Sequence, residues 1–223
     1  MTQMYATIPI LLQILQSARY LLFLCIPMTY AVCSNAQEWT LKKDRDGIKV
    51  YTKESASGYD TFRATLTLKC NIHGLVYLVK DVQNAPKWMY KIKEIRMINE
   101  VDYSNWNAWS SVGMPWPIED RDIVTTQKLT KSDNEFRIDV KSIPSSYKKV
   151  EGHVRIENAQ GYWLFIQNND QTVDIVYEFQ SDPGGIPAWI VNAFVEDSPF
   201  NTLLGMKRMI LMEPYRSIQL NYL

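Results

Sequence analysis

The sequence is short of the residues that catalysis and metal binding most often use. It has two histidines, His73 and His153, and three cysteines in 223 residues. Neither histidine has a His, Cys or acidic partner at ligand spacing, so no metal site is expected and both read as ordinary polar residues. There is no G-x-G-x-x-G and no P-loop; "DPGGIP" (182–187) reads as a turn, so no nucleotide cofactor is expected. No G-x-S-x-G elbow marks a serine nucleophile. Charge of either sign is not in excess, with 24 Lys and Arg against 24 Asp and Glu. Without a clustered basic excess, nucleic acid is excluded as a partner. Internal repeats and low-complexity linkers are also missing.

Charge is nearly absent from residues 1–36, which hold Arg19 and no Asp or Glu. "LLFLCIPMTYAV" (21–32) has the length of a signal-peptide apolar region, and "SNA" (34–36) supplies the small residues a signal peptidase reads. The expectation is cleavage after Ala36 and export, in a bacterium to the periplasm, with 37–223 as one domain. A second apolar stretch, "TIPILLQILQ" (7–16), precedes Arg19. The alternative is therefore an uncleaved anchor over 8–33, long enough to span a bilayer but carrying Gln13, Gln16 and Arg19. Cys33 follows Tyr-Ala-Val, which is no lipobox. Loss of 1–36 removes Cys25 and Cys33, and Cys70 alone cannot form an internal disulfide. Cys70 falls in phase with Phe62, Ala64, Leu66 and Leu68 and reads as a small buried apolar residue.

What the sequence does have is alternation. "IKVYTKE" and "FRATLTLKC" read as strands joined by a hairpin near Gly58. Trp39 and Leu41 are expected in a short helical turn ahead of them. Leu75, Leu78, Val79 and Val82 recur at helical spacing behind an Asn71 N-cap, and Pro86 ends that helix. Strands are then expected near 94–102, 105–112, 121–131, 135–143, 150–157, 161–168 and 172–180. The separators, such as "KSDN" and "NNDQ", are too short for crossovers, so the strands should be antiparallel. Ile186, Trp189, Ile190, Ala193 and Phe194 share one helical face, and Ser198-Pro199 restarts or kinks that terminal helix. The fold class is α+β: a curved antiparallel sheet with a long C-terminal helix over its apolar face.

Seven Trp and thirteen Tyr supply a large core or a pocket. Phe136, Ile138 and Val140 alternate with charged residues, as do Val173, Ile175, Tyr177 and Phe179. Trp106 and Ala108 share one face of their strand, with Trp109 on the other. Taken singly, each is best read as core. As a set they suggest a cavity, because one helix cannot fill the concavity of so large a sheet.

"WTLKKDRDGIKVYTK" with "FRA", then "PWPIEDRD", then "YEFQSDPGGIPAWIVN" resemble the StAR-related lipid-transfer (START) domain in its exported bacterial form, over about 39–212. The resemblance implies a helix-grip fold with a tunnel for one lipid, and a lid made of 184–187 and the helix bearing Trp189, Ile190, Ala193 and Phe194. It implies that Arg121-Asp122 is a structural charge pair. Sterol-binding members carry a buried acid and Arg, and the positions that match here are Ala108 or Trp109 and Gln127, so that pair is missing. Ligand-lining candidates are Trp106, Ala108, Gln127, Phe136, Ile138, Val140 and Tyr177. Trp163 and Phe165 join them, or else Tyr162 and Leu164, according to which face is inward. The implied activity is non-enzymatic carriage of a lipid or other hydrophobic molecule by a monomer, with transient membrane contact and no cofactor. Alternatives are a cyclase- or hydrolase-type enzyme, with Tyr147, Tyr177, His153 and Asp139 as candidates, and an interaction module with a filled core.

Overall fold

The computed structural model describes residues 38–221; the leader reading of 1–36 lies outside them. Ten strands form one open sheet: β1 (Thr40–Arg45), β2 (Ile48–Lys53), β3 (Thr61–Lys69), β4 (Ile92–Asp102), β5 (Asn105–Val112), β6 (Asp120–Ser132), β7 (Glu135–Ser142), β8 (His153–Ile156), β9 (Asn158–Gln167) and β10 (Thr172–Asp182). The order across the sheet is β1-β2-β3-β10-β9-β7-β6-β5-β4. Three helices follow in chain order: α1 (Ile72–Lys80), α2 (Ala188–Asn192) and α3 (Asp197–Met209).

Most of the expected order holds, with three corrections. Residues 40–45 form β1, not a helical turn; the segment pairs with β2 through Thr40↔Thr52 to Arg45↔Ile48. Trp39, just before it, lies under the Arg63 guanidinium at 4.1 Å. Second, β8 runs parallel to the start of β6, with Asp120↔His153 to Ile123↔Ile156. The segment 143–152 swings out and back, which a two-residue hairpin cannot do. Third, the long terminal helix is broken into the five-residue α2 and the thirteen-residue α3. Neither has a side-chain N-cap, and none of the α2 residues is buried.

Alternation gives the sheet two different faces. Phe136↔Phe165 and Ile138↔Trp163 between β7 and β9, and Ile175↔Phe165 and Tyr177↔Trp163 between β9 and β10, put the large apolar side chains on the concave face. One half of that face is filled by helices. Leu75 and Leu78 of α1, and Phe200, Leu203 and Met206 of α3, join Ile138, Phe165 and Ile175 in the main core. Asn71 caps α1, its Oδ1 accepting from the His73 N–H at 3.0 Å. Two helical glycines set the closeness of this packing. A Cβ on Gly74 would lie 1.9 Å from the Tyr215 carbonyl oxygen, and one on Gly205 would lie 2.2 Å from that of Trp88. Cys70 is half-buried, and burial pushes its thiol up to about 11, so it stays an unreactive thiol.

The outer face carries a buried ion pair, and it is not the expected one. Arg121 and Asp122 do not pair; adjacent strand residues point to opposite faces. The partner of Asp122 is Arg155, across the parallel β6–β8 step. Arg155 Nε donates to Asp122 Oδ1 and its Nη2 to Oδ2, both at 2.8 Å. The remaining guanidinium hydrogens go to the carbonyls of Pro144, Tyr147 and Lys148 at 2.7–3.1 Å. Trp109 Nε1 also donates to Asp122 Oδ2, at 2.8 Å. All five guanidinium donors are satisfied, which is what makes such a deep pair tolerable. Burial alone would raise the Asp122 carboxyl, but its bonds from Arg155 and Trp109 outweigh that and hold it below the usual carboxylate range.

Arg155→Met leaves Asp122 charged and without its cation, and should cost about 3–5 kcal/mol in denaturant unfolding. Asp122 binds its proton more weakly folded than unfolded. Its stabilisation is therefore present above the ordinary carboxylate value of about 3.9 and is lost as pH falls below it toward the lower folded value. Acid unfolding of wild type and variant, followed by tryptophan fluorescence, should show the gap between them closing over that range.

Candidate functional site

The half of the concave face not filled by α1 and α3 is the candidate site. Register places Gln127 beside Trp106 on β5 and Val140 on β7, and Val140 beside Gly161 on β9. Gly161 faces Phe179, and Trp163 faces Tyr177, on β10. Gln127, Val140, Gly161, Tyr177 and Phe179 are only half-buried although they point inward. Trp163 and Tyr177 stack with ring centroids 3.8 Å apart, and Trp88 meets Trp163 edge-on at 5.9 Å. Burial raises the Tyr177 hydroxyl's pKa, so the phenol is neutral. Uncharged residues line this stretch: Ala108, Thr125, Gln127, Val140, Gly161 and Tyr177.

Two polar atoms are sealed from water here with no partner, Trp88 Nε1 and Gln127 Oε1. Gln127 Nε2 donates to the Thr125 hydroxyl at 2.5 Å, which leaves its Oε1 without a partner. The free atom is therefore the amide oxygen, an acceptor awaiting a donor, while the indole is a donor awaiting an acceptor.

The sequence candidates divide into three groups. Trp163 and Phe165 point inward; Tyr162 points outward, where its hydroxyl donates to Glu178 Oε2 at 2.9 Å and Arg137 lies over its ring at 3.7 Å. Ile138 and Phe165 have no accessible surface and Phe136 has little, so these three are core under the helices rather than lining. Trp106 and Ala108 are buried beside Gln127, and Val140 and Tyr177 flank the half-buried stretch. The terminal-helix set does not share an inward face. Ile186 is buried and Ile190 half-buried, but Trp189 and Ala193, four residues apart, lie with Phe194 on the exposed side. Trp189 and Phe194 are 75% and 66% exposed.

Ile190 lines an apolar pocket of about 570 Å³ with Ile118, Val154, Ile186 and Pro187. Its walls are the 113–119 turn and the 183–190 segment. Trp116, between two prolines and with a cis peptide to Pro117, is 93% exposed at its edge, so it plugs nothing. Arg121 joins the two walls. Its Nε and Nη2 donate to the Pro183 and Gly184 carbonyls at 2.8 Å, and its Nη1 to the Glu119 carbonyl at 2.5 Å. On the outer face a polar groove of about 420 Å³ runs past Arg137, Lys141, Tyr162 and Glu178.

No family model matches the chain. The uncharacterized protein PA1579 of Pseudomonas aeruginosa is 31% identical over 185 residues, covering 80% of this chain and 90% of that protein. A STAR-related lipid transfer protein from Xanthomonas axonopodis (fragment 25–204) superposes with a TM-score of 0.73 at 28% identity, over 78% of this chain and 99% of that one. The chain has a START-like fold. Human STARD10 (TM-score 0.70, 21% identity, 79% of this chain and 74% of that one) and human StAR-related lipid transfer protein 5 (0.70, 15%, 90% and 92%) share the fold. The open sheet with its C-terminal helix is the START helix-grip arrangement.

Sequence reasoning missed four residues around the candidate site. Trp88 follows a short 3-10 turn, where no periodicity assigns a side-chain direction. Arg155 was legible in part, since "HVRI" puts a strand arginine in phase with His153. Tyr59 and Asn192 hold the 186–192 segment through contacts more than a hundred residues apart, for which a single sequence has no signal.

Arg121→Met removes the bonds that tie the 183–184 backbone to β6. Amide hydrogen exchange over 184–194 should speed up by about ten-fold or more, while the β9 and β10 ladders keep their protection. Equal loss of protection everywhere would mean that Arg121 supports the whole sheet rather than this segment.

Proposed function

We propose that this START-like domain carries a single lipid or similar hydrophobic molecule in the hollow on its concave face, making and breaking no bond. The observation that carries the reading is the Gln127 oxygen, a water-sealed acceptor without a partner on an apolar, half-buried surface. Buried polar groups are ordinarily paired, so one left open in a hollow is a place for a ligand's polar end. Removing the ligand's apolar surface from water supplies the affinity, at roughly 25 cal/mol per Å². The polar end fixes the orientation: Gln127 needs a donor and Trp88 an acceptor, and a hydroxyl or an amide provides either. The uncharged lining disfavours a charged group at that depth. The name printed for the Xanthomonas protein, a lipid transfer protein, supports the same class of ligand.

The scatter of the candidate acid–base residues supports carriage over catalysis. Tyr177 is on the concave face, but Asp139 binds Arg137 on the outer face. His153 sits against Ser111 at 2.8 Å and Tyr147 against Trp109, both beside the Asp122–Arg155 pair. A general acid–base pair must converge on one reacting group, and these four do not. The N-terminal composition supports action outside the cytoplasm.

Organic extraction of the purified full chain, followed by mass spectrometry, should release a lipid with a hydroxyl or amide at one end. No co-purified lipid, together with no binding across a panel of hydroxyl-, amide- and phosphate-headed lipids, would contradict carriage. Gln127→Leu gives a sharper test. It should weaken binding of a hydroxyl-bearing lipid by about ten-fold, the worth of one buried hydrogen bond, yet leave Tm unchanged or raised because an unpaired polar atom is gone.

A further inference from the structure

The outer face of the sheet carries positive charge that its own carboxylates do not neutralise, and it lies on the opposite side of the strands from the lipid hollow. Cross-strand partners place Lys141 of β7, Gln160 of β9 and Gln180 of β10 in one row, and Thr61 of β3 pairs with Lys53 of β2 at its far end. A second row runs beside it: Asp139, Tyr162, Glu178 and Arg63. Both rows, Arg63 excepted, line the polar groove of about 420 Å³. In the second row each carboxylate already has its cation. Glu178 accepts from Arg63 Nε at 2.8 Å and from the Tyr162 hydroxyl at 2.9 Å. Asp139 accepts from Arg137 Nε at 2.8 Å. Flat rings hold both guanidinium groups in place: Arg137 lies 3.7 Å from the Tyr162 ring centroid, and Arg63 lies 4.1 Å from that of Trp39. The first row has no acid. Lys53 lies 5.0 Å from the Trp39 ring, and among the described residues neither Lys53 nor Lys141 is paired with a carboxylate.

We propose that this outer groove binds a soluble, elongated dianion, a molecule with a phosphate or carboxylate group toward each end. The lining sets Lys53, Arg137 and Lys141 against Asp139 and Glu178, and Arg63 neutralises Glu178 from just outside it, so two cations remain without a counter-charge. These two, Lys53 and Lys141, stand at opposite ends of the first row. Their strands are four steps apart in the order β2-β3-β10-β9-β7, which separates their Cα atoms by about 19 Å at about 4.8 Å per step. A compact anion therefore meets one lysine, whereas a longer one with charge at both ends meets both. Between the lysines, the Thr61 hydroxyl and the Gln160 amide offer further donors. Arg137 gives only its Nε to Asp139, and among the described residues its two Nη groups are left for an oxyanion, which a planar guanidinium binds in bidentate fashion. The rings under Arg137 and Arg63 fix those groups before a ligand arrives, which lowers the ordering cost of binding. The groove is open to water, so the affinity should fall as salt rises.

Calorimetric titration of the full chain with sodium tripolyphosphate, and with inorganic phosphate for comparison, tests the groove. Tripolyphosphate should bind about ten-fold or more tightly than phosphate. Lys53→Gln/Lys141→Gln should weaken tripolyphosphate binding by about ten-fold or more, the loss of two charge-assisted hydrogen bonds, and should flatten its salt dependence. The control is Lys148→Gln/Lys149→Gln, which removes the same charge from two exposed lysines outside the groove and should leave the affinity within about two-fold. All four lysines lie on the surface or at its edge, so Tm should be unchanged in both variants. No binding of tripolyphosphate at millimolar concentration overturns the proposal. Equal losses in the groove and control variants also overturn it, because net charge alone would then hold the anion. Lipid bound on the concave face is read separately by organic extraction, so failure of the groove and failure of the carrier reading are distinct results.

Discussion

A β-strand turns successive side chains to opposite faces, and at Arg121-Asp122 that alternation buries a charge on each side of one sheet. Outward, Asp122 binds Arg155 and Trp109 and so fastens β8 and the 143–150 excursion onto β6. Inward, Arg121 gathers carbonyls from the 113–119 turn and the 183–184 segment. Both charges are affordable only because every guanidinium donor of Arg155, and three of Arg121, find acceptors. The sheet's outer layer and the 183–184 segment thus hang on two neighbouring residues.

The remaining architecture follows from what can and cannot cover a curved ten-stranded sheet. α1 and α3 are drawn close by Gly74 and Gly205 and fill one half of the concavity with Leu75, Leu78, Phe200, Leu203 and Met206. α2, five residues long, is held at the 58–60 turn by polar contacts. That division leaves Gln127, Val140, Tyr177 and Phe179 half-buried and two polar atoms unpaired. A site able to admit a large apolar ligand needs a stable wall and a weakly held one. Apolar packing holds α1 and α3, and hydrogen bonds hold α2, in adjacent parts of the same chain.

Period-two alternation made β2–β7, β9 and β10 legible, and helical spacing behind Asn71 made α1 legible, because both patterns record burial on one face. The START-like fold was legible in four motifs in order. What the sequence concealed depends on contacts remote along the chain. The parallel β8 needs the 143–152 excursion, whose turns carry no special signature. Ile186, Trp189, Ile190, Ala193 and Phe194 have helical periodicity, yet the helix stops at Asn192, whose side chain is committed to residues 58 and 60. That the turn after β5 faces the 183–190 segment was not legible, since the two lie far apart along the chain. Arg121-Asp122 looked like a pair because the residues are adjacent, which is the one arrangement a strand forbids.

The central claim is that the ligand lies on the concave face, over β6, β9 and β10. Site mapping with a photoreactive lipid tests it most directly: the full chain is loaded with a diacylglycerol carrying a diazirine on one acyl chain, irradiated, digested and sequenced by mass spectrometry. Adducts should cluster on the inward side chains of Gln127, Trp163, Tyr177 and Phe179. Adducts confined to the outer groove around Arg137 and Tyr162 would contradict it.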